Sequence, residues 1–183
     1  MLLWDLGKWG IIHNISCRGK TDMDIKDNWN NIKVHFNNSL KSNFYVSIAY
    51  LDSENIPTAT PIGSLFLNDD QTGFYFEKFS SMLLLNAEPK KKICVLAFNS
   101  NRWFWIKSLL KGKFNNYPAI KLYGELGERR EAKESEIRRL KNRTKLIRGL
   151  KGYKYLFGDM KFVREVIFTK GRKVNLGEMT KDV

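Results

Sequence analysis

Residues 44–78 read FYVSIAYLDSENIPTATPIGSLFLNDDQTGFYFEK. Positions 44–51 are dense in aromatic and β-branched side chains, which suit a pleated, half-buried surface. Asp52-Ser53-Glu54-Asn55 is turn chemistry. Residues 57–67 make a second strand, residues 68–73 a second turn and residues 73–78 a third strand. Strand, turn, strand, turn, strand at this spacing predicts an antiparallel meander.

Upstream, Trp29, Ile32, Phe36 and Leu40 recur at spacings of three and four. That is one face of a helix, predicted over 27–41 with Asp27 in the N-cap region. Residues 1–25 show no period and read as an irregular extension. Downstream, a short helix is expected over 80–88, with Ser80 or Ser81 as N-cap, and Pro89 stops it. Residues 92–98 form a fourth strand. Residues 99–118 are a long excursion around Trp103-Phe104-Trp105. Read as extended chain, it puts Trp103 and Trp105 on one face. A fifth strand is expected over 119–126. A helix over 134–148 carries Ile137, Leu140, Thr144 and Ile147 on one side. A short helical piece follows over 149–157, then a sixth strand over 162–169.

The prediction is a single domain of 183 residues. Barrel strands occupy 43–126, a helical insertion 127–160, and the last strand and tail 161–177. The fold class is mainly β, with antiparallel strands closing into a barrel and accessory helices around it. There is no Gly-rich phosphate loop of the dinucleotide-binding or Walker kind.

Hydrophobic residues make up 43% and charged residues 28% of the chain, which excludes a disordered protein. No apolar run reaches the roughly 18 residues of a membrane span. The first residues lack the basic leader and apolar core of a signal peptide, so a cytoplasmic protein is expected. The two cysteines and two histidines do not stand at ligand spacing, and no structural metal is expected. Cys94 lies in an apolar strand and reads as a small core residue. The formal net charge is +13. Residues 1–100 are balanced, with ten Lys/Arg and ten Asp/Glu. Residues 101–183 hold 22 Lys/Arg against nine Asp/Glu, so the whole excess lies there. A basic half fits an anionic ligand or nucleic acid, or simply a solvated face.

The order of elements resembles a known family, the FMN-binding split barrels related to pyridoxamine 5′-phosphate oxidase. The stretches that carry it are Thr60-Pro61-Ile62-Gly63-Ser64, then Phe74 to Ser81, then Leu85-Asn86-Ala87-Glu88-Pro89. The strand Ile120-Lys121-Leu122-Tyr123-Gly124-Glu125-Leu126 and the tail Val174-Asn175-Leu176-Gly177-Glu178-Met179 complete it. The likeness spans about residues 29–179. It implies a six-stranded antiparallel split β-barrel, a homodimer, and FMN at the dimer interface. Two departures stand out. Phe79, Ser80 and Ser81 occupy the place of a basic phosphate-gripping run, and Glu88 stands where relatives have Asn.

Under this resemblance, Pro61, Ile62, Gly63 and Ser64 would run beneath the flavin, with Gly63 permitting close backbone approach. Phe76 and Glu77 would belong to the same cofactor site. Lys78, Ser80 and Ser81 would meet the phosphate. Arg102, Trp103 and Lys107 would form an aromatic and basic wall. The expected activity is that of an FMN-dependent oxidase or reductase on a small substrate, anionic if the basic wall serves it. The cofactor carries such redox chemistry and the protein positions and tunes it, so no catalytic triad is needed. One alternative is a non-catalytic protein of the same fold holding flavin, haem or a deazaflavin. The other is a nucleic-acid-binding protein using the basic C-terminal half, with residues 138–148 tracking phosphates. That stretch lacks the interleaved aromatics that single strands favour. Weak, salt-sensitive, sequence-independent binding is the most it predicts.

Overall fold

The computed structural model describes residues 21–78 and 89–183. Helix α1, Ile25–Asn43, is followed by strands β2 (Val46–Leu51), β3 (Pro57–Ile62), β4 (Leu65–Leu67), β5 (Thr72–Phe76) and β6 (Lys92–Phe98). Then come α2 (Arg102–Lys111), β7 (Ala119–Glu131), α3 (Glu134–Arg143), α4 (Tyr153–Phe157) and β8 (Phe162–Lys173). A two-residue strand β1, Asp22–Met23, precedes α1 and pairs with β8.

All strand pairs are antiparallel, in the order β3-β2-β6-β7-β8-β5-β4. The two ends of this path, β3 and β4, are joined only by Gly63 and Ser64. Seven flat strands would separate their outer members by about 29 Å, at roughly 4.8 Å per step. A two-residue link reaches only about 11 Å. The sheet must therefore curl until its edges approach, and this closure makes the expected barrel. The predicted second strand is thus one run bent at Gly63-Ser64, which changes partner from β2 to β5. A Cβ at Gly63 would stand 2.8 Å from the Phe44 carbonyl oxygen, so only glycine allows this corner. Tight coiling recurs where β7 slips register against β8 at Tyr123/Gly124 and Leu126/Arg129. A side chain at Gly124 would collide with the Ile167 carbonyl.

Helix α1 starts and ends two residues beyond its predicted bounds. Asp24 is the N-cap, its carboxylate accepting from Lys26 N at 2.7 Å. Phe44, at φ 64°, closes the helix by donating its N–H to Leu40 O. Trp29, Ile32, Phe36 and Leu40 are all buried and fill the barrel core with Val46, Ile48, Val95, Leu122 and Val166. A second cluster of Phe66, Phe74, Phe76, Leu140 and Val163 sits under α3, with Phe157 and Met160 packed against it.

Several expectations change. The Trp103-Phe104-Trp105 segment is helical, not extended, with Asn101 as its N-cap. In a helix, positions two apart point to opposite sides. Trp105 packs edge-on to Phe114, ring centroids 5.1 Å apart, and donates Nε1–H to Asn99 O at 2.7 Å. Trp103 is 69% exposed. The predicted 134–148 helix ends at Arg143 and continues as a 3-10 turn, Lys145–Ile147. Strands β7 and β8 run to Glu131 and Lys173, longer than predicted, because they pair with each other along most of their length. Cys94 is half-buried, on the side of β6 opposite Ile93 and Val95. The predicted helix over 80–88 and the irregular residues 1–20 lie outside the described residues. Among the described residues, no helix is long and apolar enough to cross a membrane.

Candidate cofactor site

The bend at Gly63-Ser64 opens one side of the barrel into a groove of about 220 Å³. Thr60, Pro61, Ile62, Gly63 and Ser64 form one wall. Tyr75, Phe76, Glu77 and Lys78, at the end of β5, form the floor. Leu156, Phe157 and Met160 of the helical insertion form the opposite wall. Seven of the twelve residues singled out from the sequence thus line one groove: Pro61, Ile62, Gly63, Ser64, Phe76, Glu77 and Lys78. Ser80 and Ser81 lie outside the described residues. Arg102, Trp103 and Lys107 are elsewhere, on α2. Trp103 and Lys107 border a separate hollow with Asn38, Lys41 and Ser42.

Local chemistry fixes each wall. Ser64 Oγ donates to Phe76 O and accepts from Phe76 N, at 3.3 and 3.2 Å, which ties the corner to β5. The missing side chain of Gly63 makes room for the Phe44 carbonyl and not for a ligand. Glu77 is buried and binds two arginines. Arg164 Nε donates to Oε1 at 2.7 Å and Arg129 Nε to Oε2 at 3.0 Å. The Tyr75 hydroxyl also donates to Oε1, at 3.2 Å. Burial, followed by the negative Glu77, pushes the Tyr75 phenol well above its usual range, so it remains a neutral donor. Arg129 also lies over the Phe162 ring at 3.7 Å. Lys78 Nζ donates to two backbone carbonyls of α4, Tyr155 O at 2.6 Å and Lys154 O at 3.2 Å.

The groove suits the ring of FMN. Pro61, Ile62, Tyr75, Phe76, Leu156, Phe157 and Met160 are the flat and apolar neighbours that a ring system needs. A dianionic phosphate needs convergent cations. Here Arg164 is held by Glu77, and Lys78 points at helix carbonyls. Among the described residues the groove offers neighbours for the ring, and its floor cations Lys78 and Arg164 are engaged with protein acceptors.

Sequence reasoning missed Leu156, Phe157, Met160 and Arg164. Residues 149–157 read as a short helical piece with nothing to say where it packs. Arg164 stands within a strand, and only its pairing opposite Tyr75 brings it to Glu77.

Several bases of the C-terminal half have structural work. Arg130 grips Glu136 with two bonds, at 2.8 and 2.9 Å, and Glu165 with a third at 2.6 Å. Arg139 donates to Asn68 Oδ1 and Leu67 O. Arg143 donates to Leu65 O at 2.6 Å and lies 3.5 Å over the Phe66 ring. Burial, reinforced by Arg139, pushes Arg143 down to about 10. These contacts pin α3 to β4, while Arg138, Lys141, Lys145 and Arg148 stay exposed.

No protein-family model matches the chain, and no curated protein matches it in sequence. Solved structures do match in fold. HupZ of Group A Streptococcus is 16% identical with a TM-score of 0.51, over 80% of this chain and 98% of that one. An FMN-binding protein of Syntrophomonas wolfei subsp. wolfei is also 16% identical, with a TM-score of 0.50, over 83% and 95%. HutZ, the haem storage protein of Vibrio cholerae, is 12% identical with a TM-score of 0.50, over 79% and 92%. At these identities the likeness is one of fold.

Proposed function

We propose that this chain, a split barrel of the pyridoxamine 5′-phosphate oxidase-like kind, is a flavoprotein that binds FMN as a homodimer and acts as an oxidoreductase on a small substrate. One observation carries the reading: seven residues singled out from the sequence line a single groove with flat, apolar walls. The groove's 220 Å³ falls below the roughly 300–1,000 Å³ of complete ligand pockets. A second copy completing it accounts for that shortfall. Surface apolar residues support the dimer as well, with Trp103, Leu109 and Leu110 between 62% and 84% exposed on α2. Cations from the second copy, Arg102 and Lys107 among the candidates, would add charge for the phosphate.

A bound flavin supplies two-electron redox chemistry. The chain's own part is to stack the ring, exclude water and hold Tyr75 as a neutral donor through Glu77. Non-catalytic cofactor holding is the second reading. It is favoured by the engagement of Glu77 and Arg164 with each other, which leaves the floor no general base. Haem is less well served. The described residues contain one histidine, His35, and it is buried in the core with Nε2 3.0 Å from Ala97 O.

The test is absorbance of the purified protein in the flavin bands, with mass spectrometry of the released cofactor. FMN is expected. Protein that is colourless and takes up no flavin on titration sinks the reading. Reduction of the bound flavin by a nicotinamide cofactor separates enzyme from binder. Sedimentation should give a dimer, with an interface above about 2,000 Å² as obligate dimers have. A stable monomer at micromolar concentration would count against it.

A further inference from the structure

We infer that α4 is the ligand-selecting wall of the groove and that Lys78 is the latch holding it in place, so the ligand is gripped by its ring and not through a contact between Lys78 and phosphate. The inference rests on the flavin reading of the groove.

Helix α4 has five residues, far fewer than the dozen or so an isolated helix needs. Its burial does not hold it. Tyr155 is 76% exposed and Leu156 53%. What holds it are a few specific contacts. The Tyr153 hydroxyl meets Thr144 Oγ1 at 3.2 Å, Phe157 packs beside the second core cluster, and Lys78 reaches across to the helix backbone. Carbonyls in the last turn of a helix lack intrahelical partners and carry partial negative charge. Lys154 O already accepts from Gly158 N at 3.0 Å. The Lys78 ammonium caps that oxygen and the Tyr155 oxygen together, from just past β5, 76 and 77 positions earlier in the chain.

Two consequences follow for the ligand. Leu156, Phe157 and Met160 line the groove together with Thr60–Ser64, so the position of α4 sets the space open to a flat ring. The same two carbonyl oxygens crowd the Lys78 ammonium, and a dianion approaching it would meet their negative ends. Lys78 is therefore a positioning residue, acting on the ring through α4.

The experiment titrates riboflavin and FMN into wild type, Lys78→Ala and Lys78→Arg by flavin-fluorescence quenching, with tryptic cleavage at Lys151 and Lys154 followed in parallel. Lys78→Ala should speed cleavage by about tenfold as the cap on α4 is lost, and should change the affinity of both flavins by the same factor. Lys78→Arg, which can still donate to both carbonyls, should restore cleavage and binding. Tenfold weaker FMN with unchanged riboflavin in Lys78→Ala would make Lys78 a phosphate contact and overturn the inference. So would unchanged cleavage. If wild type binds neither flavin, the flavin reading fails, and the cleavage rates still decide whether Lys78 latches α4.

Discussion

Glu77 shows how much one residue can carry. Its carboxylate neutralises Arg164, whose side chain is only 6% exposed, and also meets Arg129 and Tyr75. Removing one partner of a buried pair strands the other charge, at a cost of about 3–5 kcal/mol. Glu77→Ala should lower stability by that amount in urea denaturation. Adding Arg164→Met should recover part of the loss, because no buried charge is then left unpaired. His35 gives a pH prediction. Burial lowers its pKa below 6.5, offset in part by the bond to the Ala97 carbonyl. A carbonyl only accepts, so Nε2 carries the proton of the neutral ring. The unfolded chain takes up a proton near the ordinary value and the folded chain resists it. The His35 contribution is thus complete above pH 6.5 and is lost as pH falls toward the lower folded value. His35→Gln should flatten the decline in stability between pH 7 and 5, and an unchanged slope would count against this. Neither residue's role was visible in sequence. Glu77 was singled out for its place in a strand order, while its charge partner lies 87 positions away.

At the scale of elements, α2 separates two tryptophans that an extended reading put together. Trp105 anchors the helix on Phe98 and Phe114, while Trp103 stands in solvent in the protomer. Trp105→Ala should cost about 3 kcal/mol, near the low end of core tryptophan truncations. Trp103→Ala should change monomer stability by less than about 0.5 kcal/mol. Under the dimer reading it should instead weaken self-association, measured by sedimentation across protein concentration. Equal losses of stability in the two variants would show that the helix is oriented otherwise. Helix α1 was legible almost to its ends, because a long apolar period is strong and local. Helix α2 was not. Its aromatics satisfy a strand pattern as readily as a helical one, and Asn101 as its N-cap decides the matter.

For the whole molecule, the excess charge has two destinations. Arg129, Arg130, Arg139 and Arg143 are built into the protein. Others, Arg138, Lys141, Lys145 and Arg148 among them, face solvent. Nucleic-acid binding should therefore be weak, indifferent to sequence and lost steeply as salt rises from 50 to 200 mM. Sub-micromolar retention of a defined sequence at physiological salt would contradict this. The insertion between β7 and β8 matters in a different way. It supplies a cover for Phe66, Phe74 and Phe76 through Leu140, and one wall of the groove through Leu156, Phe157 and Met160.

Local patterns were enough to identify the antiparallel strands and helix α1. Each depends on side chains close together in sequence, where periodicity and turn chemistry act directly. They also marked the strand ends that line the groove, because the element order resembles a known barrel. Tertiary structure decided the rest. It paired Lys78 with the carbonyls of residues 154 and 155 and brought Arg164 to Glu77. These contacts join positions 76 to 87 residues apart, and sequence spacing has no period that reports them. They exist only because a curled sheet brings its two edges, and the insertion between its longest strands, to the same side of the barrel.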